Sequence, residues 1–312
     1  MKNIFSIKPV IALLAVGSLA ACNNSSSNGA GVAANLNAES ASIIGGVPVE
    51  KNDFPNKTTV AILTFIQAPV KAPAGSPDAG KFQLGISTCT GTLIAKNVVL
   101  TAGHCVYKAK PNEKTRTVIV FSNDLNGLIG EKKKDGPQLP VPEYRFVTKA
   151  IPHPLYGKSA TEQATTEAND VALMQFDGEM PAGYQLATVL TDESVLKAGA
   201  TVTLAGFGYT DGAGKKSDGL LRKVDVQVLE AFNATEVAVD QSLGKGACHG
   251  DSGGPAFINV GGVEYVWGVT SRGAGKNGVD DCSLYGIYTK IYAQKLFINR
   301  GLQYLNSLNT AK

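Results

Sequence analysis

Three residues of this sequence have the types and surroundings that chemistry at a carbonyl would need: a serine between glycines, a histidine beside a cysteine, and an aspartate heading an apolar run. Ser252 lies in Gly250-Asp251-Ser252-Gly253-Gly254-Pro255. A serine hydroxyl is a weak nucleophile until a base takes its proton. Acyl transfer also needs backbone N–H donors aimed at the oxygen that becomes negative. Glycines beside the serine permit unusual backbone angles and close substrate approach. A spectator serine in a glycine-rich turn is the plainer reading, and the full six-residue pattern argues against it.

The base must come from three histidines. His104 stands in Leu100-Thr101-Ala102-Gly103-His104-Cys105, after a strand-like run, and is the candidate. His153 sits between Pro152 and Pro154, which suggests a rigid surface turn, and His249 borders the serine motif without its ring having to face a substrate. A histidine base needs an acceptor that fixes its tautomer and stabilises its protonated form. Asp170, in Asn169-Asp170-Val171-Ala172-Leu173-Met174, is suited to this, while Asp124 and Asp177 are rivals on chemistry alone.

The elements that position these groups read as all-β. Runs rich in Val, Ile, Leu and Thr recur at 58–66, 86–94, 116–122, 171–176, 201–207, 221–229 and 265–271. Val224, Val226 and Val228 alternate with Asp225 and Gln227, the period of a half-buried strand. Gly, Pro and Asn clusters punctuate the runs. Stretches 69–80 and 128–143 read as long surface loops, the second carrying Lys132, Lys133 and Lys134 as a solvated charge run. Only 293–308 is helical in pattern, with Leu296, Ile298, Leu302 and Leu305 among polar residues and Gly301 as a weak point. Many short strands and one terminal helix suggest barrels or sandwiches.

Composition bounds the rest. Of 312 residues, 44% are hydrophobic and 18% charged, which excludes disorder over the whole length. A net charge of +3 gives no reason to expect a nucleic-acid partner. Residues 1–21 read as an export signal, with Lys2 and Lys8 ahead of an apolar run too short to span a membrane comfortably. The run ends in Leu19-Ala20-Ala21-Cys22, which resembles a bacterial lipobox and implies a lipid on Cys22. Residues 22–42 read as a flexible tether, since after Cys22 they are mostly Asn, Ser, Ala and Gly with the single charge of Glu39.

The motifs at His104, Asp170 and Ser252, in that order, resemble the chymotrypsin-trypsin family of serine endopeptidases, and the likeness covers 43–312. It implies two six-stranded antiparallel β-barrels packed side by side, a C-terminal α-helix, and a catalytic cleft between the barrels. In the implied mechanism Ser252 attacks a peptide carbonyl, His104 moves the proton, Asp170 orients His104, and the N–H groups of Gly250 and Ser252 form the oxyanion hole. No metal or organic cofactor is implied. The five cysteines fit as Cys89 with Cys105, Cys248 with Cys282, and Cys22 left for lipid. Such bonds need an oxidising compartment, so the protein is expected to be exported: anchored at a bacterial membrane as a precursor and periplasmic or extracellular once activated. The expected partners are protein or peptide substrates and an activating protease, with the membrane met only through Cys22. A non-catalytic lipoprotein that keeps the fold as a binding module is the alternative.

The resemblance also places the pocket for the residue before the cut. Its base falls on Gly246, where trypsin-like enzymes carry Asp, and its walls on Ala247, Gly273 and Gly286, with Arg272 in place of a usual Trp. An open, uncharged pocket follows, suited to Phe, Tyr, Leu or Met, unless Asp280 or Asp281 reaches in. Thr270 occupies the position where glutamyl-specific relatives use a histidine. Ile43-Ile44-Gly45-Gly46 resembles the family's mature N-terminus, so cleavage after Ser42 would free an ammonium on Ile43 to pair with Asp251.

Overall fold

The computed structural model describes residues 43–73, 75–78, 80–129, 141–157, 168–213, 216–231, 233–276 and 281–310. The signal segment, Cys22 and its tether, the Lys132–Lys134 run and Asp280 lie outside the described residues.

The chain first forms β1 (Val47–Pro48), β2 (Thr59–Pro69), β3 (Phe82–Ala95), β4 (Val98–Thr101), β5 (Lys114–Phe121), β6 (Glu143–Pro152) and β7 (Ala172–Phe176). Six of these close a barrel in the order β2-β3-β4-β7-β6-β5. The second half supplies β8 (Thr201–Gly206), β9 (Arg222–Ala231), β10 (Glu236–Asp240), β11 (Pro255–Val260), β12 (Val263–Ala274) and β13 (Tyr285–Lys290). They run β9-β10-β13-β12-β11-β8, and the β9–β8 pairing closes the ring, with short β1 added to β9. Both barrels are antiparallel, as expected from the sequence. On β9 the three valines are buried while Asp225 and Gln227 face solvent.

Closure removes the exposed edges of both sheets and turns alternate side chains inward. One apolar cluster runs from Ile62, Leu93 and Val99 of the first barrel to Phe207, Phe257 and Val266 of the second, so the two share a continuous apolar contact. The chain ends in a helix, Lys295–Thr310. Its Ile298 and Leu305 are buried, whereas Leu296 is exposed. Gly301, the weak point of the pattern, packs closely on the barrel: a Cβ there would lie 2.4 Å from Leu173 Cδ1.

Candidate active site

Barrel closure brings His104 and Asp170 together. β4 and β7 are antiparallel neighbours, with Thr101 opposite Ala172. The end of β4 therefore meets the start of β7. His104, in a single 3₁₀ turn just past β4, and Asp170, two residues before β7, emerge at the same corner. His104 Nδ1 lies 2.7 Å from Asp170 Oδ2, and the His104 backbone N–H donates to Asp170 Oδ1 at 2.9 Å. A carboxylate only accepts, so the ring proton sits on Nδ1 and Nε2 is left as the basic nitrogen.

Ser252 comes from the other barrel, in the turn ahead of β11. It lines one cavity of about 290 Å³ with His104, Asp170, Ala247, His249 and Gly273. The turn is held across the barrel interface by Thr90 of β3. The Thr90 N–H donates to the Ser252 carbonyl at 2.8 Å, and Thr90 Oγ1 donates to the Gly250 carbonyl at 3.0 Å while accepting from the Phe207 N–H. Gly250 has φ +99°, and a Cβ there would lie 2.8 Å from Gly208 Cα. That left-handed conformation and close approach admit only glycine without strain.

Asp170 has further donors that no local motif announces. Ser271 Oγ of β12 donates to Asp170 Oδ2 at 2.8 Å, and Thr289 Oγ1 of β13 donates to its backbone carbonyl. Arg272 stands behind Ser271, its Nη1 donating to Ser271 Oγ at 3.3 Å and, at 2.6 Å, to the fully buried carboxylate of Glu236. Ser271→Ala is expected to lower kcat about tenfold with little change in KM, because it removes one charge-assisted hydrogen bond from the acceptor that orients His104. Steady-state kinetics on a peptide substrate separates the two parameters.

The other candidate carboxylates are engaged elsewhere: Asp124 and Asp281 in local turns, Asp177 with the neighbouring strand β6. Asp124 accepts from the Asn126 N–H, Asp177 from the Phe146 N–H, and Asp281 from the N–H and hydroxyl of Ser283. His153 packs edge-on against Phe297, and burial pushes its pKa down. Thr270 Oγ1 donates to the Gly254 carbonyl beneath the serine turn.

The pocket differs from the open slot expected. Ala247 and Gly273 line the cavity, but the side chain of Gln241 lies against Gly246 and Gly286. The space those two glycines leave is occupied by the protein itself, and the sequence gives no cue to it because Gln241 lies outside every motif.

The two disulfides are present, Cys89–Cys105 and Cys248–Cys282. The first ties β3 to the turn that carries His104, and the second braces the segment leading into the serine turn.

Asp251 is fully buried. Its carboxylate accepts from the Cys248 and Gly208 N–H groups, each at 2.8 Å, and a Cβ on Gly208 would come within 2.4 Å of it. Burial pushes the Asp251 carboxyl up to about 7, against the downward pull of those two donors. Ile43 is also fully buried, in the core of the second barrel with Ala247. Ile44 bridges to Gly246, whose N–H donates to the Ile44 carbonyl at 3.0 Å.

The trypsin family model matches residues 68–298. The chain belongs to the trypsin family. It is a serine-type endopeptidase on that membership. It is 30% identical to the CLIP domain-containing serine protease B14 of Anopheles gambiae over 284 residues, 80% of this chain and 69% of that protein. It is 26% identical to the chymotrypsin-like elastase family member 1 of Macaca fascicularis over 273 residues, 83% of this chain and 89% of that protein. Serine protease SP24D of Anopheles gambiae is 29% identical over 179 residues, 55% of this chain, and the match spans 59% of that protein's length. The match to trypsin-family proteases agrees with the resemblance read from the motifs.

Proposed function

We propose that Ser252 hydrolyses peptide bonds through an acyl-enzyme, with His104 as base and then acid, Asp170 as its orienting acceptor, and the N–H groups of Gly250 and Ser252 as the oxyanion hole. The observation that carries this is the 2.7 Å contact between His104 Nδ1 and a buried Asp170 in the cavity that Ser252 also lines. A fluorophosphonate probe tests it. Labelling is expected at Ser252, and an unlabelled protein would instead be a binding module that retains the fold.

Cleavage follows uncharged residues. The position of the usual pocket aspartate is Gly246, and Asp281 is engaged with Ser283. Burying an arginine without a counter-ion is costly, whereas burying an apolar side chain contributes about 1.5–3 kcal/mol. Chromogenic peptides that differ only in the residue before the cut should be cleaved at least tenfold faster after Leu than after Arg. Faster cleavage after Arg would overturn the assignment.

Residues 1–21 direct export, Cys22 carries lipid, and 22–42 is a propeptide tether ahead of a protease domain at 43–312. Four cysteines are paired with each other, so no disulfide is left to hold the propeptide after cleavage before Ile43. Glu39 is the tether's one charge, which offers no ionic substitute. Activation by a second protease and release from the membrane are therefore one event. In a bacterium that processes lipoproteins, the form beginning at Ile43 is expected in the soluble fraction and the form beginning at Cys22 in membranes. N-terminal sequencing of each fraction checks this, and an Ile43 form that stays in membranes through a high-salt wash would count against it.

A further inference from the structure

Gln241 follows β10 directly, and its backbone N–H donates to the Leu284 carbonyl at 3.1 Å. Its side chain is turned inward and only 1% of the residue is exposed, yet it lines the cavity that holds Ser252 and His104. A Cβ built on Gly246 would lie 2.3 Å from Gln241 Cδ, and one on Gly286 2.6 Å from Gln241 Oε1. The carboxamide thus sits directly on the backbone of both glycines. These are the two positions whose missing side chains would otherwise make the pocket deep.

We infer that Gln241 is a specificity-determining residue whose carboxamide forms the floor of the substrate pocket and restricts the residue before the cut to short and medium uncharged side chains. The inference rests on the protease reading of the same cavity.

Three hydrogen bonds hold the floor still. Nε2 donates to the Ala247 carbonyl at 3.1 Å and to the Cys282 carbonyl at 2.6 Å, while Oε1 accepts from the Ala247 N–H at 3.0 Å. One donor and two acceptors around the amide define which end is nitrogen, so the group cannot flip without losing all three bonds. Both Nε2 hydrogens are used, and the oxygen keeps one lone pair without bearing charge. A substrate ring long enough to reach Gly246 would need the volume that this amide fills. Displacing it would leave the buried N–H and two carbonyls unpartnered, which is expensive in a closed pocket. A Val or Leu side chain stops short of the floor and displaces nothing. Arg or Lys would meet an uncharged amide where a counter-ion is required.

The experiment is a panel of peptides carrying Ala, Val, Leu, Phe, Tyr or Arg before the cut, run on wild type, Gln241→Ala and Gln241→Met, with active sites counted by fluorophosphonate labelling. Wild type is expected to favour Val and Leu over Phe and Tyr by about tenfold or more in kcat/KM. Gln241→Ala should shift that ratio toward the aromatic residues by on the order of 10- to 100-fold. Gln241→Met retains the volume but not the three hydrogen bonds that hold it, so its side chain can be displaced. The ratio should then move toward the aromatic residues by a smaller factor than in Gln241→Ala. An unchanged ratio in labelled Gln241→Met overturns the role of Gln241 even where the alanine variant folds poorly. A labelled wild type that prefers Phe or Tyr to Leu overturns the role of Gln241 alone. So does a labelled Gln241→Ala with an unchanged ratio. An absence of labelling at Ser252 overturns this inference together with the protease reading beneath it.

Discussion

Ser252→Ala is expected to lower kcat for peptide hydrolysis by roughly 10⁶-fold while leaving KM within a few-fold. The hydroxyl is the only group offered to the carbonyl carbon in this reading, so its removal abolishes the acyl-enzyme rather than weakening a contact. His104→Ala should cost about as much, and the double variant should be no worse than either single one, because nucleophile and base act as a unit. Asp170→Asn is expected to fall about 10⁴-fold. An amide can present its NH₂ toward His104 Nδ1 where the carboxylate now accepts at 2.7 Å. The ring would then carry its proton on Nε2, the nitrogen that must be free to take the proton of Ser252. Burst kinetics on an ester substrate checks the assignment. Wild type should release one equivalent of leaving group per active site before the steady state, and Ser252→Ala none. Additive losses in the double variant would show that the two residues are not coupled.

What the sequence made legible was what lies within a few residues. The three motifs, the alternating valines of β9 and the amphipathic terminal helix are all local patterns. The partners that aim the site are not local. Ser271 reaches Asp170 across 101 residues, and Thr90 reaches Gly250 across 160. Both contacts exist only because two closed barrels meet, and nothing in the spacing of a lone Thr or Ser encodes that. Gln241 was hidden for a different reason. A glycine on a pocket wall looks like room for substrate, and the sequence does not say that the side chain of Gln241 has already taken the space at Gly246 and Gly286. Gly301 misleads in the same manner, since low helix propensity reads as weakness where the structure uses it for close docking on Leu173.

The second large effect concerns the peptide bond before Ile43. In the uncleaved chain Asp251 is buried with two backbone donors, and burial pushes its carboxyl up to about 7. An unfolded aspartate titrates near about 3.9. The native state thus holds the proton more tightly than the unfolded one. The group's contribution to stability is complete below the unfolded value and is lost as pH rises through about 7. The difference of about 3 units corresponds to on the order of 4 kcal/mol. Ile43 adds a second liability, since a β-branched residue at φ +49° costs about 1–3 kcal/mol while a preceding peptide fixes that angle. Cleavage is expected to remove both. In the proposed activation it would free the Ile43 backbone from the preceding carbonyl and create an ammonium expected to pair with Asp251. In a Ser252→Ala background, which prevents self-digestion, the precursor should lose stability to urea between pH 5 and pH 8, and the form beginning at Ile43 should not. Pairing raises the pKa of the new amine, so the mature form keeps the contribution until pH climbs through that raised value, above about 8. With Ser252 intact, cleavage should raise kcat by 10²- to 10³-fold, the scale of a completed oxyanion hole. Asp251→Asn has no charge to match the ammonium, so its mature form should be poorly active at every pH and its precursor should show no loss of stability from pH 5 to pH 8. Full activity in that mature variant would mean that Asp251 does not couple the new N-terminus to the serine turn.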